Sequence, residues 1–173
     1  TEWVYNGSVV RRWAGSNVNE TFAVKAGAKG GNYDNNSNTS RQGWLTGQLG
    51  VAYERLFNYS TKVNVDASVY YGTDSFSDKV YFGPSVAVEH PVLDILTLSL
   101  ETGAEPYLKT VEQLHSANRF LAVDNQLRHS YKMYGSAEAL LEFDNIGSVN
   151  FGLQYQNISN YPIFVRRDVG LQY

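Results

Sequence analysis

The chain has 173 residues, with 14 Lys and Arg against 17 Asp and Glu and a formal net charge of -3. This length allows one domain with a real core, and the lack of a net positive charge argues against nucleic acid as a partner. Cysteine is absent, which excludes a disulfide framework and a thiolate metal site. The 13 Tyr and 15 Gly favour strands and tight turns over helices.

The predicted elements are strands, because apolar and polar residues alternate along most of the chain. Residues 1–18 form either an N-terminal extension or an extra strand, with Trp3, Tyr5 and Val9 on one parity. The alternating stretches that follow lie at 21–29, 45–54, 62–71, 79–89, 96–105, 131–143, 148–156 and 164–173. Strands of roughly this length match the 9–11 residues that cross a bilayer at a tilt.

The connections between these stretches alternate in length. Short ones lie at 57–60, 90–94 and 144–147, and long polar ones lie at 31–43, 72–78, 106–130 and 157–163. Short turns at one end and long loops at the other are typical of bacterial outer-membrane barrels. Residues 19–173 are therefore predicted to form an all-β, antiparallel, transmembrane up-and-down β-barrel of about eight strands. A barrel of nine or ten strands, or the C-terminal part of a larger barrel, is the alternative if residues 1–13 add a strand.

The longest connection, 106–130, has two interpretations. The stretch TVEQLHSANRFL predicts a short helix with Thr110 as its N-cap and Gln113 completing a capping box. Alternatively, residues 119–124 extend a strand beyond the sheet.

Alternation alone does not say which face of the sheet is inside, but the aromatic residues favour an outward apolar face. A soluble barrel points its apolar face inward, and a membrane barrel points it at lipid. Aromatic residues stand at strand ends on the apolar parity, as in the girdles that meet lipid headgroups. The predicted membrane girdle is Tyr53, Tyr71, Phe143, Tyr155 and Tyr173.

The opposite parity combines small residues with charges of both signs, which suits a crowded interior containing ion pairs. The charges predicted to face the lumen are Lys25, Lys29, Glu54, Lys62, Asp66, Lys79, Glu89, Glu101, Glu105, Lys132, Glu138, Glu142, Arg166 and Asp168. A solvated face of a soluble sheet also carries mixed charge. Pro84 falls on the apolar parity in mid-strand, where it predicts a bulge or a local kink.

Nothing in the sequence predicts an enzyme, a cofactor or a metal site. The pairs Glu138 with Glu142 and Glu101 with Glu105 lie about 13 Å apart along a strand, which is too far for a carboxylate dyad. The three histidines fall in turns or in the long loop without metal-ligand spacing: His90, His115 and His129. No Ser–His–Asp set is marked, so an outer-membrane hydrolase is the weakest alternative.

The chain resembles bacterial outer-membrane β-barrel proteins over roughly residues 20–173. Such barrels close with an alternating strand that ends in an aromatic residue, and FVRRDVGLQY ends in this way at Tyr173. The stretch EPYLKTVEQLHSANRF is also similar to a loop of TonB-dependent receptor barrels, around Pro106, Glu112, Leu114 and Asn118. The resemblance carries over no ligand residue, and a plug domain is missing from the sequence.

The resemblance implies a location in the bacterial outer membrane, in contact with the lipid bilayer. Other outer-membrane subunits or missing N-terminal barrel strands are the further partners it allows. The expected function is a porin-like or transport barrel, or a structural surface barrel. A surface binding or adhesion module, or a subunit of a larger outer-membrane complex, is the alternative. A soluble lipocalin-like carrier of an apolar ligand is the second alternative.

Overall fold

The computed structural model describes residues 2–34, 41–74, 77–117, 128–143 and 147–159. The elements are β1 Glu2–Ala14, β2 Glu20–Asp34, β3 Arg41–Phe57, β4 Thr61–Thr73, β5 Asp78–Leu93, β6 Leu96–Tyr107, α1 Val111–Ala117, β7 Ser130–Phe143 and β8 Gly147–Ser159. The predicted closing strand, 164–173, lies outside the described residues, and so do the predictions for Arg166, Asp168 and Tyr173.

The eight strands form one sheet in which each strand pairs antiparallel with the next, in the order β1 to β8. The prediction of an all-β, up-and-down arrangement is confirmed. Within the described residues, β1 and β8 are not paired with each other, so the sheet is not closed there. Residues 2–14 of the predicted extension or extra strand form β1, which pairs with β2 from Glu2↔Tyr33 to Ala14↔Thr21.

The strands are longer than the sequence pattern indicated, at 12 to 17 residues each. The short connection predicted at 90–94 is wrong in its bounds, because β5 continues through Leu93 and only residues 94–95 turn. His90 accordingly lies in β5 rather than in a turn, where its Nδ1 is 2.8 Å from Thr61 Oγ1. The connections 15–19, 58–60 and 94–95 lie at one end of the sheet, here called the short-turn end. Among the described residues, Asp74, Ser77, 108–117 and 128–129 lie at the long-loop end.

Pro84 interrupts the sheet on one side only. Pro84 pairs with Ala67 of β4 without a register shift, so the predicted bulge is wrong. On the other side, the pairing of β5 with β6 begins at Ser85↔Gly103, next to Pro84, which has no N–H to give to a ladder. The register shift in this ladder lies instead at Pro91/Leu93. The Tyr131 hydroxyl donates a hydrogen bond to the Phe82 carbonyl, beyond the end of the β5–β6 ladder.

The sheet is strongly curved, and its polar face is the concave one. Side chains from β1, β2, β3, β4 and β6 line a single cavity on this face. The Glu112 N–H of α1 also donates to a Glu2 carboxylate oxygen of β1, at 3.2 Å. Apolar side chains occupy the convex face, where Leu49, Phe82 and Leu153 stay exposed. This distribution is the reverse of a soluble sheet, which packs its apolar face against a core.

The helix α1 lies between β6 and β7 at the long-loop end. Its N-terminus has the predicted capping box, because Gln113 N–H donates to Thr110 Oγ1 at 3.3 Å and Thr110 N–H donates to Gln113 Oε1 at 3.1 Å. Leu114 of this helix is only 1% exposed. The alternative, a strand extension over 119–124, lies outside the described residues. Across the described ranges, no helix has the length and apolar character needed to cross a bilayer.

Candidate functional site

The concave face carries the predicted inward charges, and several of them are paired. Lys25 of β2 forms an ion pair with Asp66 of β4, across the intervening strand β3. The Asp66 carboxylate also accepts a hydrogen bond from the Ser68 hydroxyl, at 2.8 Å. Small residues of β3, Gly50 and Ala52, occupy the positions between them in the pairing register. A short side chain on the middle strand leaves room for a lysine to reach the second strand over.

Two further ion pairs join neighbouring strands on this face. Lys62 Nζ lies 3.3 Å from a Glu54 carboxylate oxygen, with both side chains nearly half exposed. Lys132 Nζ lies 2.5 Å from Glu105 Oε1. Because opposite charges in contact neutralise each other locally, these pairs leave little net field along the middle of the face.

The remaining predicted charges have different surroundings. Glu101 accepts a hydrogen bond from the Tyr134 hydroxyl at 3.1 Å, and a Glu138 carboxylate oxygen lies 3.5 Å from the Asn150 amide nitrogen. Lys29 lies with its ammonium 5.9 Å from the centre of the Trp44 ring. Exposed positions near strand ends hold the others: Lys79, Glu89 and Glu142.

A buried polar cluster at the long-loop end links three separate parts of the chain. His129 Nδ1 lies 3.0 Å from Asp74 Oδ2, and His129 Nε2 lies 2.8 Å from Thr46 Oγ1. The backbone N–H of His129 donates to the same Asp74 oxygen at 2.8 Å. Both the Asp74 and the His129 side chains are 2% exposed. These three residues, Thr46, Asp74 and His129, are called the His129 cluster. The cluster connects the chain just before β7 to the ends of β3 and β4.

The His129 cluster has the order of a carboxylate, an imidazole and a hydroxyl, which is also the order of a catalytic triad. A structural role is enough to explain this geometry, because the three buried groups satisfy each other's hydrogen bonds. The Trp44 ring, nearly perpendicular to the imidazole, and the tilted Tyr81 ring flank it at centroid distances of 6.5 and 6.3 Å. An oxyanion hole would need free backbone N–H groups, whereas Thr46 lies within paired strands on both sides.

Below α1, the concave face encloses a cavity of about 400 Å³. It is lined by residues of β1, β2 and β3, by Tyr70 of β4, by the end of β6 and by Gln113 of α1. Trp44 forms a wall and is 4% exposed. The Trp44 ring lies close to the backbone of Gly31, where an added Cβ would stand 2.8 Å from the indole nitrogen. Only a glycine at 31 therefore allows the ring to lie this close to the sheet.

The four predicted girdle residues that the structure describes lie on the convex face, towards both ends of the strands. Tyr53 and Phe143 are at the short-turn end, and Tyr71 and Tyr155 are towards the long-loop end. Sequence reasoning missed Trp13 and Phe22, which share this face at the short-turn end, where Phe22 contacts Tyr53 with ring centres 4.9 Å apart. Their parity and their place at a strand end are the signals that identify them.

The cavity wall and the His129 cluster were also missed. Trp44 stands one residue before the alternating stretch 45–54, and its polar parity could have placed it on the concave face. Asp74 and His129 lie outside the predicted strands, where no periodicity applies, and only the fold brings them together. The predicted absence of a metal site stays a prediction, although the described residues contain no group of three or more His, Cys, Asp or Glu that could hold a metal ion.

Comparison of the chain with protein-family models, with curated proteins and with solved structures found no match in any of the three.

Proposed function

We propose that this chain forms the wall of a β-barrel in the bacterial outer membrane, of the porin or transport type. The observation that carries the proposal is the reversed distribution of side chains on the curved sheet. Large apolar residues are exposed along the convex face, whereas ion pairs and buried hydroxyls occupy the concave face. A lipid bilayer is the solvent in which that distribution is favourable.

The energetics make the convex face costly in water. Leu49, Val69 and Phe82 lie opposite one another on three neighbouring strands and are 63%, 49% and 57% exposed. Each Å² of apolar surface that stays in water lacks roughly 25 cal/mol of the stabilisation that its burial would give. An isolated exposed Leu is ordinary on a soluble protein, but a face made of such residues is an interaction surface. Acyl chains would cover it along its whole length.

The ends of the convex face have the composition expected of a membrane interface. At the short-turn end, the Arg11 guanidinium lies 5.2 Å from the Trp13 ring and the Arg55 guanidinium lies 4.6 Å from the Phe57 ring. Aromatic rings with a nearby cation suit the headgroup layer, where apolar and charged groups meet. Towards the long-loop end, the aromatic residues at the strand ends of this face are Trp3, Tyr5 and Tyr155.

The soluble-carrier alternative expects the opposite arrangement. A lipocalin-like barrel binds an apolar ligand with an apolar interior. The described cavity instead mixes hydroxyl, amide and charged side chains with apolar groups such as Trp44 and Leu108, while the large exposed apolar residues lie on the opposite face. The unpaired edges of β1 and β8 in the described part fit the hypothesis of further strands, from residues 160–173 or from a larger barrel.

The direct experiment is refolding of the chain into detergent micelles and into lipid vesicles. A membrane barrel of this kind should float with the vesicles and should migrate faster on SDS gels when it is not heated. A folded monomer that stays in solution without detergent would contradict the proposal. Circular dichroism of each sample shows whether the sheet formed, so that a failure of folding is recognised as such.

A further inference from the structure

We infer that the cavity beneath α1 binds a small hydroxylated molecule that carries one oxyanion, either a carboxylate or a phosphate. The inference deepens the proposed function and rests on it, because it names the class of solute that such a barrel would hold. The cavity, at about 400 Å³, falls in the size range of small-molecule sites.

The charge of the cavity points to an anion. Among the described residues, two charged side chains line it, Lys29 and Glu105. Glu105 is neutralised by Lys132 at 2.5 Å, whereas Lys29 has no carboxylate partner within the described ranges. The described part of the lining therefore carries one unbalanced positive charge. Lys29 lies over the Trp44 ring, and a cation held only by an aromatic face keeps its N–H groups available for an acceptor.

The neutral lining points to hydroxyl groups on the same ligand. The amide nitrogen of Gln48 donates to Ser68 Oγ at 3.2 Å and to Tyr70 Oη at 3.1 Å. Because both of its amide hydrogens are used, Gln48 can offer a ligand hydroxyl only its carbonyl oxygen, which accepts. Gln113 has the opposite arrangement, because its carbonyl caps α1 and its amide nitrogen remains a donor. Asn6 and Ser8 of β1 add a further amide and a hydroxyl to the lining. Hydroxyls both donate and accept, so a sugar-like skeleton satisfies donors and acceptors together.

Trp44 is packed into the cavity wall beside Lys29 and is only 4% exposed. Its indole N–H is buried and has no hydrogen-bond partner among the described protein atoms. This nitrogen lies beside the Gly31 backbone, where an added Cβ would stand 2.8 Å away, so the polar groups left to contact a ligand include those of Lys29, Gln48 and Gln113.

The test is isothermal titration calorimetry of the full chain, refolded in detergent micelles, with three probes. D-glucuronate carries a carboxylate, glucose 6-phosphate carries a phosphate, and glucose is the neutral control. We expect at least one of the two anions to bind roughly tenfold or more tightly than glucose, the ratio that one charge-assisted hydrogen bond supplies. Binding of glucuronate alone assigns the carboxylate, and binding of glucose 6-phosphate alone assigns the phosphate.

Variants make the assignment specific. Lys29→Gln should reduce the affinity for the bound anion to the level of glucose, and Lys29→Arg should preserve most of it. The matched control is Lys79→Gln, an exposed lysine on the same face that does not line the cavity, and it should leave binding unchanged. Equal binding of all three probes, no binding of any probe, or an unaffected Lys29→Gln variant would overturn the inference.

The same samples separate this inference from the proposed function. Each preparation is checked for vesicle flotation and for the gel shift of the unheated protein. A preparation that passes both checks and binds no anion overturns the ligand site alone. Failure of both checks in a sample with strand circular dichroism overturns the membrane proposal, together with the inference that rests on it.

Discussion

Lys25 and Asp66 form an ion pair over β3, a strand to which neither residue belongs. The contact exists because β3 has Gly50 and Ala52 where a larger side chain would block the lysine. It joins alternate strands, so it stabilises the curvature of the sheet as well as the pairing of neighbours. We therefore expect the stability of this ion pair to depend on small residues at the facing positions of β3.

Asp66→Asn should lower the free energy of unfolding by about 1–3 kcal/mol, since it leaves a mostly buried contact with an uncompensated ammonium. The matched control is Glu54→Gln, which breaks the half-exposed pair with Lys62 and should cost about 0–1 kcal/mol. Urea titration of the refolded protein measures both variants. Equal losses would mean that the Lys25–Asp66 contact has no special role.

Gly50→Ala should also destabilise the fold, by about 1–3 kcal/mol, because of overpacking. An added Cβ would stand 2.2 Å from Ser68 Oγ, a fully buried hydroxyl that bonds to Asp66 and accepts from Gln48. Gly47→Ala is the control on the same strand, where the nearest atom would be 3.9 Å away. The control should be neutral or slightly stabilising, since alanine loses less backbone entropy than glycine. A loss at position 47 as large as that at 50 would refute the steric argument.

Leu114→Ala should loosen α1 without unfolding the sheet. Leu114 is the largest fully buried side chain among the described residues, and truncation of such a leucine costs about 2–5 kcal/mol. Because α1 contacts the rest of the chain at one end of the sheet, the loss should appear as faster amide exchange in 111–117. Ser116→Ala, on the exposed side of the helix, should leave exchange unchanged. Uniformly faster exchange across all strands would show that α1 is part of the global folding unit.

His129→Ala should release the chain before β7 from the ends of β3 and β4. The substitution removes the imidazole contacts to Asp74 and Thr46 and leaves the Asp74 carboxylate with the backbone N–H groups of Ser77 and His129. We expect faster amide exchange at residues 128–130 and faster cleavage by protease near them. His90→Ala, at the short-turn end, is the control and should leave this region protected. Unchanged protection in His129→Ala would mean that packing of Trp44 and Tyr81 suffices to fix the segment.

The strand pattern was predictable because it depends on local alternation. Leu45, Leu49 and Val51 of β3 identify one face without reference to any other strand. The capping box of α1 was predictable for the same reason, since Thr110 and Gln113 are three residues apart. In both cases the physical signal lies within a few residues of the structure that it specifies.

The sites on the concave face depend on register, and register lies beyond a single sequence. That Lys25 meets Asp66 rather than Glu54 follows from the pairing of β2 with β3 and of β3 with β4. The His129 cluster joins residues 55 and 83 positions apart in sequence. The predicted turn at 90–94 makes β5 too short, because the strand continues through Pro91 to Leu93 with a shift in register.

The most direct test of the membrane-facing convex surface uses the fluorescence of a single tryptophan in vesicles of brominated lipid. The test variant replaces Trp3, Trp13 and Trp44 with Phe and introduces Leu49→Trp in the middle of the convex face. The control variant keeps only Trp44, on the concave face. With bromine atoms in the middle of the acyl chains, the tryptophan at 49 should be strongly quenched and Trp44 should be nearly unaffected. Equal quenching of the two, or no quenching at position 49 in folded protein, would contradict the account.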